Sequence, residues 1–239
     1  MKLHSRAGMI ARSEALLNIP EFVAKYYVMY PDPQKNEREI FFGTSGHRGR
    51  SLYGTFNEDY LAAVCQALAE YRLEKGITRP LIMGKDTHAL SQPAEITALE
   101  VFTANGITVL MDENEIFTPT PVISHGILSY NRKKSRAIAD GVVITPSHNP
   151  PGDGGFKYNP PHGGSAGPEI TNVIQGRANE ILRNDLRDVK RIPCGRTTST
   201  GLVKWYDFSG DYISVLGLII RMESIADSGM RIGVDPLDG

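Results

Sequence analysis

Hydrophobic residues along this 239-residue chain follow two patterns, a helical spacing and short continuous runs. After Asn57, a predicted helix cap, apolar side chains recur at positions i, i+3, i+4, i+7 and i+8: Leu61, Val64, Cys65, Leu68 and Ala69. Gly76 ends this helix, and residues 81–83 form a short apolar run typical of a buried strand. A second helix is predicted from a Ser91 cap to Gly106. Strand and helix therefore alternate.

The same alternation extends to both sides of this region. At the amino terminus, Asn18 is predicted to start a helix that carries an apolar stripe and ends at two prolines: Phe22, Val23, Tyr26 and Tyr27, then Pro31 and Pro33. The remaining predicted elements are, in order, a strand over 107–111, a helix over 122–128, strands over 141–144 and 156–158, an amphipathic helix over 170–182, a helix over 205–226 and a strand over 230–235.

This order predicts an α/β fold, a layered α/β/α domain with a mostly parallel or mixed sheet and helices on both faces. Residues 1–40 are interpreted as an amino-terminal extension, and residues 41–188 as the main domain. Residues 189–204 are polar, β-branched and interrupted by proline and glycine, which is typical of a linker.

Composition narrows the class of protein. The chain has 26 Lys and Arg against 27 Asp and Glu, so the balance gives no indication of a nucleic-acid partner or a membrane surface. Its two cysteines, Cys65 and Cys194, are far apart, which argues against disulfides or a zinc site and suits a reducing compartment. There is no signal-like amino terminus and no run of about 18 apolar residues. We expect a cytoplasmic protein.

Candidate chemistry is concentrated after the strand at 141–144, where the chain reads T-P-S-H-N-P. Its prolines end the strand and hold Ser147 and His148 at the carboxyl end, where open α/β sheets bind ligands. A Gly-rich loop follows, and the return strand brings Lys157 back beside Ser147. On this spacing alone, an ordinary solvated turn remains an alternative.

A second Gly-rich stretch, G-T-S-G-H-R-G at 43–49, is interpreted as an anion-binding loop. Its glycines permit unusual backbone angles that can direct successive N–H groups at an anion, and Arg48 offers a planar fork for a phosphate. An ordinary Gly-rich turn is again the alternative.

Taken together, five ordered motifs resemble the α-D-phosphohexomutase family, most closely its bacterial phosphoglucomutase branch: F-G-T-S-G-H-R-G at 42–49, G-K-D-T-H at 84–88, T-P-T-P at 118–121, T-P-S-H-N-P with G-F-K at 145–157, and G-V-D-P at 233–236. The resemblance implies the fold of that family's first domain. It also implies that residues 205–239 begin a second, truncated α/β domain.

The resemblance implies an intramolecular phosphotransferase that interconverts glucose 1-phosphate and glucose 6-phosphate. Phosphorylated Ser147 would give its phosphoryl group to the sugar, and a glucose 1,6-bisphosphate intermediate would return the other one. Lys157 is the predicted proton-transfer residue and His148 the weaker candidate. Arg48 would stabilise the transferring group, and the predicted phosphate-binding residues are Thr44, Ser45, Gly46, Arg48 and Asn149.

The implied cofactor is Mg²⁺, held by an oxygen of the serine phosphate and by carboxylates from a D-x-D-x-D loop in the family's second domain. This chain has no such loop, and we assign no ligand among Asp153, Asp235 and Asp238. Asp86 and His88 are expected to support the serine loop without contacting substrate, although many family members have arginine at position 88. We therefore expect a fragment that is inactive alone.

Other functions stay open at this point. The 239 residues could be a complete, non-catalytic product that binds sugar phosphates weakly or pairs with another subunit. The sugar could also be that of a phosphomannomutase or a phosphoglucosamine mutase. A serine hydrolase is poorly supported, because Ser147 lacks the G-x-S-x-G context and the adjacent His148 is badly placed to take its proton.

Overall fold

A computed structural model describes residues 5–30, 39–43, 46–113, 117–132 and 138–234. Its helices are α1 (Ile19–Val28), α2 (Glu58–Glu74), α3 (Ser91–Ala104), α4 (Thr120–Arg132), α5 (Pro168–Arg183), α6 (Cys194–Thr197), α7 (Phe208–Leu216) and α8 (Met222–Ala226). Its strands are β1 (Phe42–Gly43), β2 (Gly46–Gly49), β3 (Leu81–Lys85), β4 (Val109–Asp112), β5 (Asp140–Ile144), β6 (Gly154–Asn159) and β7 (Val203–Tyr206). None of these described helices combines the length and apolar character needed to cross a membrane.

The strands form one mixed sheet in the order β1-β2-β6-β5-β3-β4-β7. Strands β5, β3, β4 and β7 are parallel, and β6 returns antiparallel along β5 before pairing with β2. The predicted mixed α/β sheet is therefore confirmed. The carboxyl ends of β3 and β5 lie side by side, because Lys85 is in register with Ile144. The loops that follow these two strands are neighbours for that reason.

Helices cover both faces of the sheet. On one face, the larger core joins apolar residues of α1, α2, α3 and α5, including Phe22, Leu68, Phe102 and Ile174. On the other face, a smaller core forms where α4 and Phe208 of α7 pack against β3 and β5. Burial of these apolar side chains supplies the main favourable free energy of folding.

Two predicted helix starts are confirmed by their caps. The side-chain oxygen of Asn57 accepts the backbone N–H of Tyr60 at 2.8 Å, and that of Asn18 accepts the N–H of Glu21. The prediction that Ser91 is a cap is wrong. Ser91 is the first residue of α3, and its hydroxyl donates to the carboxylate of Asp86 at 2.5 Å. The hydroxyl that the local sequence pattern predicts as a helix cap therefore donates to a residue outside the helix.

The carboxyl-terminal part differs most from the sequence prediction. The helix predicted from Trp205 is wrong at its start, because residues 203–206 pair with β4 as the parallel edge strand β7. The strand predicted over 230–235 is absent over the described residues 230–234, and residues 235–239 lie outside the description. Sequence periodicity does not show whether a partner strand is available. Strand β7 has such a partner, and the described residues 230–234 have none among the described strands.

The predicted linker contacts the main domain at several points. The backbone N–H of Ile192 donates to the carbonyl of Glu100 at 3.1 Å, and the Arg191 guanidinium pairs with the carboxylates of Glu58 and Glu100. Helix α6 also lies within this segment. The division into extension, main domain, linker and second domain remains a prediction.

A buried ion pair ties the helices to the sheet. Nε of Arg72, in α2, donates to the carboxylate of Asp140 at 2.9 Å, where β5 begins. The side chains of Arg72 and Asp140 are 3% and 0% exposed. Tyr158 in β6 donates its hydroxyl to the same carboxylate at 2.8 Å. Three elements thus share one buried carboxylate. Removing one member of the ion pair is costly, because the remaining charge is left buried without a partner of opposite charge.

We expect Asp140→Ala to lower the free energy of unfolding by about 3–5 kcal/mol, because it leaves the Arg72 guanidinium buried and unpaired. Urea titration followed by circular dichroism would measure the change. Glu74→Ala is the matched control, since the Glu74–Lys75 pair is exposed and screened by solvent, so its loss should change stability little. Equal small losses in the two variants would contradict the prediction.

Candidate active site

The serine loop, residues 145–153, leaves the carboxyl end of β5. Its first residue is fixed by a hydrogen bond from the N–H of Thr145 to the carbonyl of Gly155 at 2.9 Å. The hydroxyl of Thr145 then accepts the N–H of Ser147 at 2.8 Å. Ser147 has a φ of +67°, in the left-handed region, which costs about 1–3 kcal/mol for a residue with a side chain. The surrounding contacts therefore hold a half-buried serine in a strained conformation.

His148 follows Ser147 but is exposed to solvent. Its Nδ1 lies 3.5 Å from the Ser147 hydroxyl, at the limit of a hydrogen bond. This contact is too long to fix a proton-transfer geometry, so His148 has the weaker position of the two predicted proton-transfer candidates.

Lys157 and Arg48 lie on the same face of neighbouring strands. Gly46 is opposite Lys157 in the β2–β6 register, and Arg48 is opposite Gly155, so alternation places the two cationic side chains on one side of the sheet. Lys157 is half-buried and Arg48 is exposed. Burial lowers the pKa of Lys157, and the nearby Arg48 guanidinium lowers it further, while Asp86 opposes the shift.

Within the stretch predicted as an anion-binding loop, the described residues form β1 and β2, which pair antiparallel, and its binding of an anion remains a prediction. Arg48 and Gly46 are therefore strand residues, and their backbones are paired with β6. This pairing requires glycine at position 46, where φ is +150° and an added Cβ would lie 2.1 Å from the carbonyl oxygen of Phe156. Thr44 and Ser45 lie outside the described residues, so their predicted phosphate contacts remain predictions.

A polar clamp that the sequence did not indicate joins Arg50, the residue after β2, to the serine loop. Nε of Arg50 donates to one carboxylate oxygen of Asp153 at 2.7 Å, and Asn149 donates its amide to the other oxygen at 2.9 Å. Asn149, predicted as a phosphate contact, is thus engaged within the loop. An open cavity of about 450 Å³ lies beside the clamp, lined by Arg48, Gly49, Arg50, Tyr53, Thr55 and Asp153. The alternation of Arg48 and Arg50 was the available signal in the sequence, but the partner of Arg50, Asp153, is 103 residues away.

Asp86 and His88 lie behind the serine loop. One carboxylate oxygen of Asp86 accepts the N–H of His88 at 3.0 Å, and Nε2 of His88 contacts the carbonyl oxygen of Pro151 at 2.7 Å. The other oxygen, Oδ2 of Asp86, is buried and has no hydrogen-bond partner among the described residues. Asp86 also connects the two strand ends, because its N–H donates to the carbonyl of Ile144.

These residues do not form a magnesium site by themselves. Among the described residues, no three or more His, Cys, Asp or Glu side chains are grouped to hold a metal ion. The carboxylate of Asp153 is engaged by Arg50 and Asn149, which leaves Oδ2 of Asp86 as one unpartnered acceptor near the loop. An octahedral Mg²⁺ site needs more oxygen ligands than this.

We expect Lys157→Met to raise the melting temperature at neutral pH, because it removes a charge that burial disfavours. Between the lowered pKa of folded Lys157 and the ordinary value near 10.5, the unfolded chain binds more protons, so wild-type stability rises with pH. The advantage of the methionine variant should therefore shrink as the pH approaches that value, as calorimetry from pH 7 to 10 would show. Lys75→Met, at an exposed lysine, should show no such trend. An advantage that grows with pH would contradict the assignment.

Comparison with known proteins gives one consistent family. Residues 39–185 match the family model described as phosphoglucomutase/phosphomannomutase, alpha/beta/alpha domain I. A phosphoglucomutase of Komagataeibacter xylinus is 48% identical over 233 residues, which are 98% of this chain and 42% of that protein. A phosphoglucosamine mutase of Erythrobacter litoralis is 32% identical over 199 residues, which are 83% of this chain and 40% of the relative.

A solved structure agrees on the fold. A protein of Thermus thermophilus that is designated a phosphomannomutase superposes with a TM-score of 0.62 at 22% identity, over 78% of this chain and 37% of that one. This chain thus spans less than half the length of each of these three relatives. Its motifs, its mixed sheet and the match over residues 39–185 lead to one conclusion: the chain belongs to the phosphoglucomutase/phosphomannomutase family and contains that family's α/β/α domain I.

Proposed function

We propose that this chain carries the phosphoserine part of a mutase that interconverts glucose 1-phosphate and glucose 6-phosphate. The observation that carries the proposal is the strained Ser147 at the end of β5, with the half-buried Lys157 and the exposed Arg48 brought to the same end of the sheet. Glucose is proposed because the relative with 48% identity is a phosphoglucomutase. Because another relative is a phosphoglucosamine mutase, a substrate test should include other hexose phosphates.

The proposed reaction transfers a phosphoryl group twice. The bond between phosphorus and Oγ of Ser147 breaks while a free hydroxyl of the sugar phosphate forms a new bond to phosphorus. The hydroxyl proton passes to the neutral amine of Lys157, which then returns it to the departing serine oxygen. Glucose 1,6-bisphosphate reorients and the reverse steps return its other phosphoryl group to Ser147, so atoms and charge balance over the cycle.

Lys157 suits the proton-transfer role because its environment favours the neutral amine. Burial and the neighbouring Arg48 guanidinium both lower its pKa, so more of the amine is neutral near pH 7 than in an exposed lysine. Arg48 forms no ion pair within the described ranges, which leaves its guanidinium available to the phosphoryl oxygens. The unmodified Ser147 hydroxyl is a weak nucleophile and depends on both groups.

We propose Mg²⁺ as the cofactor, contacted here only through an oxygen of phosphorylated Ser147. No step above depends on it, because the described residues do not form the rest of its site. A cytoplasmic location is also proposed, since both cysteines are free and Cys65 is buried in the apolar core.

Mass spectrometry of the purified protein should find one phosphate on the peptide that contains Ser147. Ser147→Ala should remove both this phosphate and the turnover of the complete mutase, while Arg48→Ala and Lys157→Ala should lower kcat by roughly 100-fold. Ser165→Ala, at an exposed serine in the following loop, is the matched control and should change neither property. Phosphate found elsewhere, or an active Ser147→Ala enzyme, would exclude the proposed carrier.

We further propose that residues 1–239 alone do not interconvert the two glucose phosphates at a useful rate. The described residues provide no cluster of three or more metal-ligating side chains, and the cavity beside Arg48 is open to solvent, so the charge that develops during transfer is poorly compensated. A coupled assay for glucose 6-phosphate, with magnesium and glucose 1,6-bisphosphate supplied, would compare this chain with a longer mutase of the family. Turnover within about tenfold of that enzyme would show that residues 1–239 contain the catalytic machinery.

A further inference from the structure

We propose that helix α1 positions the serine loop through Phe22 and His88. This helix, Ile19–Val28, lies outside residues 39–185, the part matched by the family model. The contacts of His88 with Phe22 and with the serine loop support this positioning without reference to any activity. Its consequence for catalysis rests on the proposed function, in which Ser147 carries the phosphoryl group.

The hydrogen bonds of His88 require one tautomer of its imidazole ring. The carbonyl oxygen of Pro151, 2.7 Å from Nε2, can only accept a hydrogen bond, so Nε2 carries the proton. The N–H of Leu90, 3.2 Å from Nδ1, can only donate, so Nδ1 is unprotonated. His88 is therefore a neutral imidazole that donates to the serine loop and accepts from the start of α3. These two hydrogen bonds fix both the plane and the tautomer of the ring.

Helix α1 supports this ring from the side. The ring of Phe22 packs edge-on against that of His88, with centroids 5.8 Å apart and an interplanar angle of 79°. Phe22 is fully buried, and its backbone carbonyl accepts the hydroxyl of Ser51 at 3.0 Å. One turn later, Tyr26 shares a hydrogen bond of 2.9 Å with Thr97 of α3. The helix is thus anchored on both sides of the aromatic contact, which limits the space available to the imidazole.

The contact reaches the loop at a sensitive point. Pro151 lies four residues after Ser147, whose left-handed conformation must be maintained by its surroundings. The other side-chain anchors come from Thr145 and Asp153, which belong to the loop itself, and from Arg50, directly after β2. His88 is the described side chain that ties the loop to the helical layer. A displacement of about 1 Å at a reacting group can cost roughly 100-fold in rate, so loss of this anchor should affect transfer.

Hydrogen exchange on the 239-residue chain tests the structural part without any activity. Phe22→Leu and His88→Leu should each speed amide exchange across residues 147–153 several-fold, because the imidazole loses its support or the loop loses its donor. His88→Gln should restore part of the protection, since its amide can donate to the carbonyl of Pro151. Val28→Ala is the control, at an exposed apolar residue of the same helix, and should leave loop exchange unchanged. Unchanged loop exchange in both leucine variants, with only a lower melting temperature, would overturn the inference.

Kinetics of the complete mutase test the catalytic consequence. Phe22→Leu and His88→Leu should lower kcat about tenfold or more with little change in KM, because substrate contacts are intact while Ser147 is misplaced. Normal kcat in both variants, despite faster loop exchange, would overturn this part. If the wild-type protein carries no phosphate on Ser147, the proposed function fails, but the exchange results still decide whether α1 positions the loop.

Discussion

The antiparallel return of β6 along β5 is the constraint on which the rest of the site depends. It places Lys157 opposite Val143, close to the strand end from which the serine loop leaves. The return is tight, because a Cβ at Gly155 would lie 2.1 Å from the carbonyl oxygen of Thr145. A larger residue there would separate β6 from the loop and displace Lys157 together with β2. The chemistry of the site therefore follows from a close approach between two backbones.

The same pairing explains how the charges are arranged. Strand β2 adds to β6, so Arg48 and Lys157 share one face, and their proximity together with burial lowers the pKa of the lysine. Asp86 is near enough to oppose that shift but keeps its Oδ2 without a partner among the described residues. The structure thus keeps two cations and a buried carboxylate oxygen close together without pairing them, an arrangement typical of a functional site.

Much of the fold was predictable from sequence because its signals are local. The apolar period of α2, its Asn57 cap and the proline-bounded end of β5 depend on neighbouring residues, and each agrees with the structure. The predictions failed where a distant partner decides the outcome. Residues 203–206 are a strand because β4 is free to pair, and Ser91 bonds Asp86 where a cap was predicted. The clamp of Arg50 and Asp153 was missed for the same reason.

The clamp also separates two arginines that the sequence leaves equivalent. Arg48 and Arg50 line the same cavity, and either could be matched to a phosphoryl group by type alone. Arg50 is paired with one carboxylate oxygen of Asp153, and the other oxygen accepts a hydrogen bond from Asn149. The charge of Arg50 is therefore compensated within the serine loop. Arg48 has no such ion pair in the described part of the chain. One guanidinium is therefore used to shape the serine loop, and the other remains available to an anion bound there.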